Sequence, residues 1–239
     1  YRTRKFVQRQ RGGVVVTALF VAAIFAALGL ALWQAQVARR EAARANTVRD
    51  FVVGLFDAAR AHLPRDQRPT PEALVEAARQ RLAASDFDPL TQADLAQTLG
   101  EVELSMARFD RAQALFEEAG HAAASAADSR ALRHARVAHA QARQRAGDNR
   151  GALAELTPLL PDLRSAPDKD LLRALAVQAA AEMTLGKPDA AIADRREAAA
   201  VALRLYAKDS ETALATQFQV GNALAEAQRY PEAVAVLQP

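Results

Sequence analysis

Leu99-Gly-Glu-Val-Glu-Leu-Ser-Met-Ala-Arg-Phe-Asp-Arg-Ala-Gln-Ala-Leu-Phe116 holds a small residue inside one helical pattern, a short break, and a second apolar-periodic run. Gly100 lets two paired helices approach closely, Ala107-Arg-Phe-Asp110 forms the turn, and Ala112 and Phe116 belong to the second helix. The pattern recurs. Aligning on the small residue after the turn gives Ala112, Ala152, Ala191 and Ala233, spaced 40, 39 and 42 residues apart. Five residues before each lie Ala107-Arg-Phe-Asp, Gly147-Asp-Asn-Arg, Gly186-Lys-Pro-Asp and Gln228-Arg-Tyr-Pro. Repeats of this length predict an all-α solenoid whose helix-turn-helix units bury their faces against one another.

The Leu-Gly pair, the Gly-x-Tyr/Phe turn, the alanine beyond it and the large apolar residue four further on resemble tetratricopeptide (TPR) positions. Leu99-Gly100 and Val220-Gly221 fit the first and last units, with Phe116, Leu156 and Leu237 as the large residues. The second and third units depart, placing His139 and Gln178 where leucine is usual. Their length also exceeds the 34 residues of the standard motif, so helices or loops must be longer. The fourth unit stops within its second helix, and an end without a polar cap predicts a chain that continues.

Upstream the organisation changes. Residues 1–11 form a basic juxtamembrane segment, with Arg2, Arg4, Lys5, Arg9 and Arg11 and no acid, so the net charge of +3 belongs to this tail. Residues 12–38 carry no charge and end near Trp33, which predicts a single transmembrane helix. The positive-inside bias then gives a single-pass protein of a bacterial inner membrane, N-terminus cytoplasmic and repeats outside the cytoplasm. The bilayer is thus an expected partner. Alanines at four-residue spacing (Ala18, Ala22, Ala26) allow a homodimer through that helix. Residues 39–88 read as a helical stalk, with an apolar stripe at Val48, Phe51, Val52, Leu55, Phe56 and Ala59 and a new helix capped by Thr70 before Pro71. Residues 89–239 hold about four TPR-like repeats.

Composition excludes several chemistries. There is no cysteine, hence no disulfide framework, zinc-thiolate site or thiol nucleophile. Aromatic residues are 5% of an Ala- and Arg-rich chain, which disfavours β-sandwiches and barrels. The folded part has no basic excess to hold nucleic acid. His134 and His139 are five apart, off a shared helix face, and no acids complete a metal set. Asp86 and Asp88 read as turn and capping residues. No catalytic residue, metal ligand or cofactor site is expected.

The order of basic tail, apolar span ending Ala31-Leu-Trp-Gln-Ala35, Val48-Arg-Asp-Phe-Val-Val-Gly-Leu-Phe56 and Leu95-Ala-Gln-Thr-Leu-Gly-Glu-Val102 resembles the membrane-proximal and repeat portion of bacterial TPR-containing serine/threonine protein kinases. The resemblance covers essentially the whole chain. It implies a non-catalytic anchor and sensor region in signal transduction. The sequence itself has no Gly-rich loop, His-Arg-Asp or Asp-Phe-Gly signature, so ATP and magnesium enter only if a kinase domain lies upstream. Two alternatives stay open: a membrane-anchored TPR scaffold or assembly factor without a linked kinase, and a secreted TPR protein with a cleaved leader. In each, a protein or peptide partner would lie along the first helices of the units. The residues expected there are Gln97, Glu101 and Ser105, then His134, Gln141 and Arg145, then Arg173 and Met183, and finally Phe218, Asn222 and Glu226.

Overall fold

The computed structural model describes residues 27–39, 42–43, 46–47, 49–50, 53–54 and 70–238. The chain divides into two units, Tyr1–Gly54 and Leu55–Pro239. In the first, residues 27–39 are helical and nearly all exposed. At 1.5 Å per residue they extend about 20 Å, well short of the roughly 30 Å of a bilayer core. No helix among the described residues is long and apolar enough to cross a membrane. The expected single transmembrane helix at 12–38 is corrected accordingly, and with it the single-pass inner-membrane placement. Residues 12–26 of that run lie outside the described residues, as does most of the stripe from Val48 to Ala59. The bilayer contact and the homodimer read from the same run have no described spanning helix behind them.

The described residues of the second unit form helices joined by short turns. α1 (Pro71–Ala84) is followed by α2 (Pro89–Ser105) and α3 (Phe109–Ser125), then α4 (Ser129–Arg145) with the short α5 (Asn149–Leu156) and α6 (Leu160–Ser165). α7 (Lys169–Thr184) pairs with α8 (Pro188–Leu205), and α9 (Glu211–Glu226) with α10 (Tyr230–Leu237). The first helices of the four units, α2, α4, α7 and α9, each begin at a side-chain cap. Asp88, Asp128, Asp168 and Ser210 accept from backbone N–H groups of the first turn. These caps satisfy donors that a helix start leaves orphaned. Thr70 does the same for α1, accepting from Ala73 N at 3.2 Å.

Three of the second helices, α3, α8 and α10, start without a side-chain cap. A tight turn launches them instead. Ala107 N donates to Leu104 O and Arg108 N to Glu103 O, the paired bonds of a Schellman motif. The same bonds recur at Ala127–Asp128, Gly147–Asp148, Gly186–Lys187 and Gln228–Arg229. All five turns place one residue in the left-handed region: Ala107, Ala127, Gly147, Gly186 and Gln228. The excess over 34 residues is shared by both helices of a unit: the first helices have 16 or 17 residues, α3 has 17 and α8 has 18.

Packing follows the small residues. Ala112, Ala152, Ala191 and Ala233 are all buried. A Cβ on Gly100 would stand 2.5 Å from Phe116 Cε1, and one on Gly221 would stand 2.6 Å from Leu237 Cγ. The ring and the leucine thus occupy space that only glycine leaves open. In the second unit the partner helix breaks after Leu156 near Pro158. Leu156, Leu159, Leu160 and Leu163 still enter one core with Val137 of α4, Leu171, Leu175 and Val177 of α7, and Val201 of α8.

Candidate functional site

The first helices pack on one another, α2 on α4 and α4 on α7, which places them on the inside of the repeat stack. Four residues expected to face a partner meet there in a single network. Arg173 donates from Nη1 and Nη2 to the two oxygens of Glu101, at 2.6 and 3.1 Å, and from Nε to Gln141 Oε1 at 2.5 Å. Gln97 Nε2 donates to Glu101 Oε1 at 3.0 Å. The Arg173 guanidinium also lies 6.0 Å from the centre of the Phe116 ring. The pair bridges α2 and α7 across the intervening unit, so these side chains hold the array together and are not vacant for a ligand.

His134 is likewise engaged. Its Nδ1 lies 2.6 Å from Asp170 Oδ1, and Asp170 is buried. Burial alone would raise the Asp170 pKa, but the hydrogen bond and charge of His134, with Lys169 and Arg173, outweigh it and hold the carboxyl below its ordinary value. His139, at a position where leucine was expected, sets Nδ1 2.8 Å from Glu155 Oε2. Ser105 is exposed and donates to Val102 O, Arg145 is exposed in the last turn of α4, and Phe218 is exposed on α9.

The remaining three expected residues, Met183, Asn222 and Glu226, line a cavity of about 210 Å³ between α7, α8 and α9. Gln144, Gln219, Ala179, Ala191 and Arg195 also line it. Arg195 was missed by the sequence reading, although the alignment contained the signal. Four residues past the aligned alanines stand Phe116, Leu156, Arg195 and Leu237. Three units put an apolar anchor there and the third puts a guanidinium. Arg195 is half-buried and makes no hydrogen bond or ion pair with any described residue. Burial pushes its pKa below the ordinary arginine value, partly offset by the charges of Glu226 and Asp194.

The third unit is polar elsewhere too. In the second unit, Arg143 and His139 face Glu155, at 3.7 and 2.8 Å. The corresponding third-unit residues are Glu182, Gln178 and Asp194. Gln178 Oε1, Glu182 Oε2 and Asp194 Oδ2 are buried without hydrogen-bond partners. Burial, then the Glu182 carboxylate, raise the Asp194 pKa to about 7, while Arg164 opposes the shift weakly.

A larger hollow of about 700 Å³ lies between α1 and α3. Its arginines are spoken for: Arg79 by Glu76 at 2.9 Å, Arg108 by Glu72 at 3.1 Å, and Arg111 by Glu76 and Glu103 at 3.9 and 3.8 Å. Such self-neutralised charge leaves little unmet demand for a ligand. At the smaller cavity, by contrast, Arg195 has no hydrogen bond or ion pair from a described residue.

The chain matches no family model and no curated protein. Its fold does match solved structures. It is similar to a Rap protein complexed with Competence and Sporulation Factor, with TM-score 0.59 and 15% identity over 68% of this chain and 45% of that one. The chain thus spans less than half of the Rap protein's length. BtubC (BKLC) from P. vanneervenii gives TM-score 0.57 and 16% identity, over 70% of this chain and 68% of the other. Nearly identical TPR-like repeats of kinesin light chain type from Podosopora anserina give TM-score 0.57 and 15% identity, over 83% and 91%. At such identities the likeness concerns architecture alone. The repeats of this chain form a TPR-like helical solenoid.

Proposed function

We propose that this chain is a non-catalytic protein–protein interaction module that takes an extended peptide segment on the inner face of its first helices, entering at the third unit. The observation that carries the reading is the cavity lined by Gln144, Gln219 and Asn222. Side-chain amides both donate and accept, as a peptide main chain requires. A bound factor on one structural neighbour is in keeping with this use of the fold. The chain needs no cofactor for it.

The test is selection of a random peptide library on the purified full chain. Enriched peptides are expected to bind Asn222→Ala about tenfold more weakly, the loss of roughly one well-made hydrogen bond. Enrichment of nothing, or peptides indifferent to Asn222→Ala, overturns the proposal. A finer reading, in which the module reports its ligand to a linked serine/threonine kinase, is supported by the sequence resemblance. ATP and magnesium would then belong to the kinase. Its test is whether the full-length gene product transfers phosphate and whether a groove peptide changes the rate.

A further inference from the structure

We propose that Arg195 is the ligand-reading residue of this cavity and that it takes a carboxylate. The inference deepens the peptide-binding reading and rests on it for the source of that carboxylate. Three observations carry it. First, the register: the four units place Phe116, Leu156, Arg195 and Leu237 at one position, where Phe116 and Leu156 are buried anchors and Leu237 packs over Gly221 while staying partly exposed. A leucine at 195 would complete the pattern, whereas an arginine leaves a hollow beside Ala179.

Second, the unmet demand. A guanidinium offers five N–H donors, and a half-buried one without acceptors costs stability that a packed leucine would not. No described residue supplies Arg195 with a hydrogen bond or an ion pair. An acceptor arriving from outside removes that cost, and a planar carboxylate matches the guanidinium fork through two parallel bonds. Third, the surroundings select among anions. Glu226 lines the same cavity, and Asp194 and Glu182 lie on the helices that frame it. These acids penalise a dianion such as phosphate more heavily than a singly charged carboxylate. The volume of about 210 Å³ equals roughly seven waters, room for one side chain or one chain end.

Two sources share this chemistry: an Asp or Glu side chain, and a free peptide C-terminus. The first experiment uses sodium acetate as the probe on the full chain. It follows the Arg195 Nε–H resonance by NMR at constant ionic strength against sodium chloride. A saturable shift with acetate only is expected, and Glu226→Gln should tighten it by removing the competing charge. An unmoved resonance overturns the proposal, whatever happens with peptides. The second compares the peptide library with free and with amidated C-termini. Binders should be rich in Asp or Glu in both forms if a side chain is the source, and lost on amidation if the chain end is. Arg195→Leu, which restores the anchor of the sister units, should abolish the preference for carboxylates while the protein stays folded; Arg195→Gln is the second variant. Acid-free, amidated peptides that bind wild type and Arg195→Leu alike overturn the proposal. A positive acetate result with no enriched peptide sinks the peptide-binding reading and leaves the carboxylate site standing.

Discussion

Gly147 and Gly186 have φ of 95° and 74°, and a Cβ at either would meet nothing within 4 Å. A change to alanine there tests backbone conformation free of any clash. Gly147→Ala and Gly186→Ala should each lower unfolding free energy by about 1 kcal/mol, measured by denaturant titration. The converse change, Ala127→Gly, relieves a non-glycine residue at φ 56° and should raise it by a smaller amount. Asp194 gives a pH signature. Its folded pKa of about 7 lies above the ordinary 3.8, so the folded state holds more protons than the unfolded state between those values. The contribution of Asp194 to stability therefore falls as pH rises from about 4 to 7, by on the order of a few kcal/mol at most. Asp194→Asn should flatten that slope in thermal melts at stepped pH and stabilise the protein at pH 8; an unchanged slope would assign the dependence elsewhere.

Helix pairing depends on where bulk is missing. Gly100 and Phe116 form one such contact, on the facing helices α2 and α3. Gly100→Ala would drive a methyl group into the ring and should cost about 1–3 kcal/mol, the range for overpacking a core. Phe116→Ala should cost about 3–5 kcal/mol through the cavity it leaves. The double variant should cost less than the sum, because removing the ring removes the clash. Denaturant midpoints of the four proteins settle it. The turns between these helices were readable in the sequence because each sits five residues before a buried alanine. The Schellman turn at Ala127 was not, since neither glycine nor a motif marks it and Ala126-Ala-Asp128 looks like helix interior.

Repeat arrays behave nearly as a sum of nearest-neighbour terms, and the Glu101–Arg173 bridge adds one term beyond that. It joins the first and third units, with Arg173 18% and Glu101 42% exposed. A double-mutant cycle with Glu101→Ala and Arg173→Ala should give a coupling on the order of 1 kcal/mol, discounted for that exposure. Hydrogen exchange should show α2 and α7 loosening together in either single variant. The helical solenoid class, the turns and the buried alanines followed from residue spacing, because a repeated local pattern needs only neighbouring residues to read. The uncharged run at 12–38 predicted a span from composition, but no helix among the described residues is long and apolar enough to cross a membrane. Spacing on the first helices also selected Gln97, Glu101, Gln141 and Arg173, but could not reveal that they bond to one another across as many as 72 residues. That pairing, and the isolation of Arg195 beside its cavity, were decided by tertiary structure. Whether a polar side chain is free or satisfied depends on partners that the chain brings near only by folding.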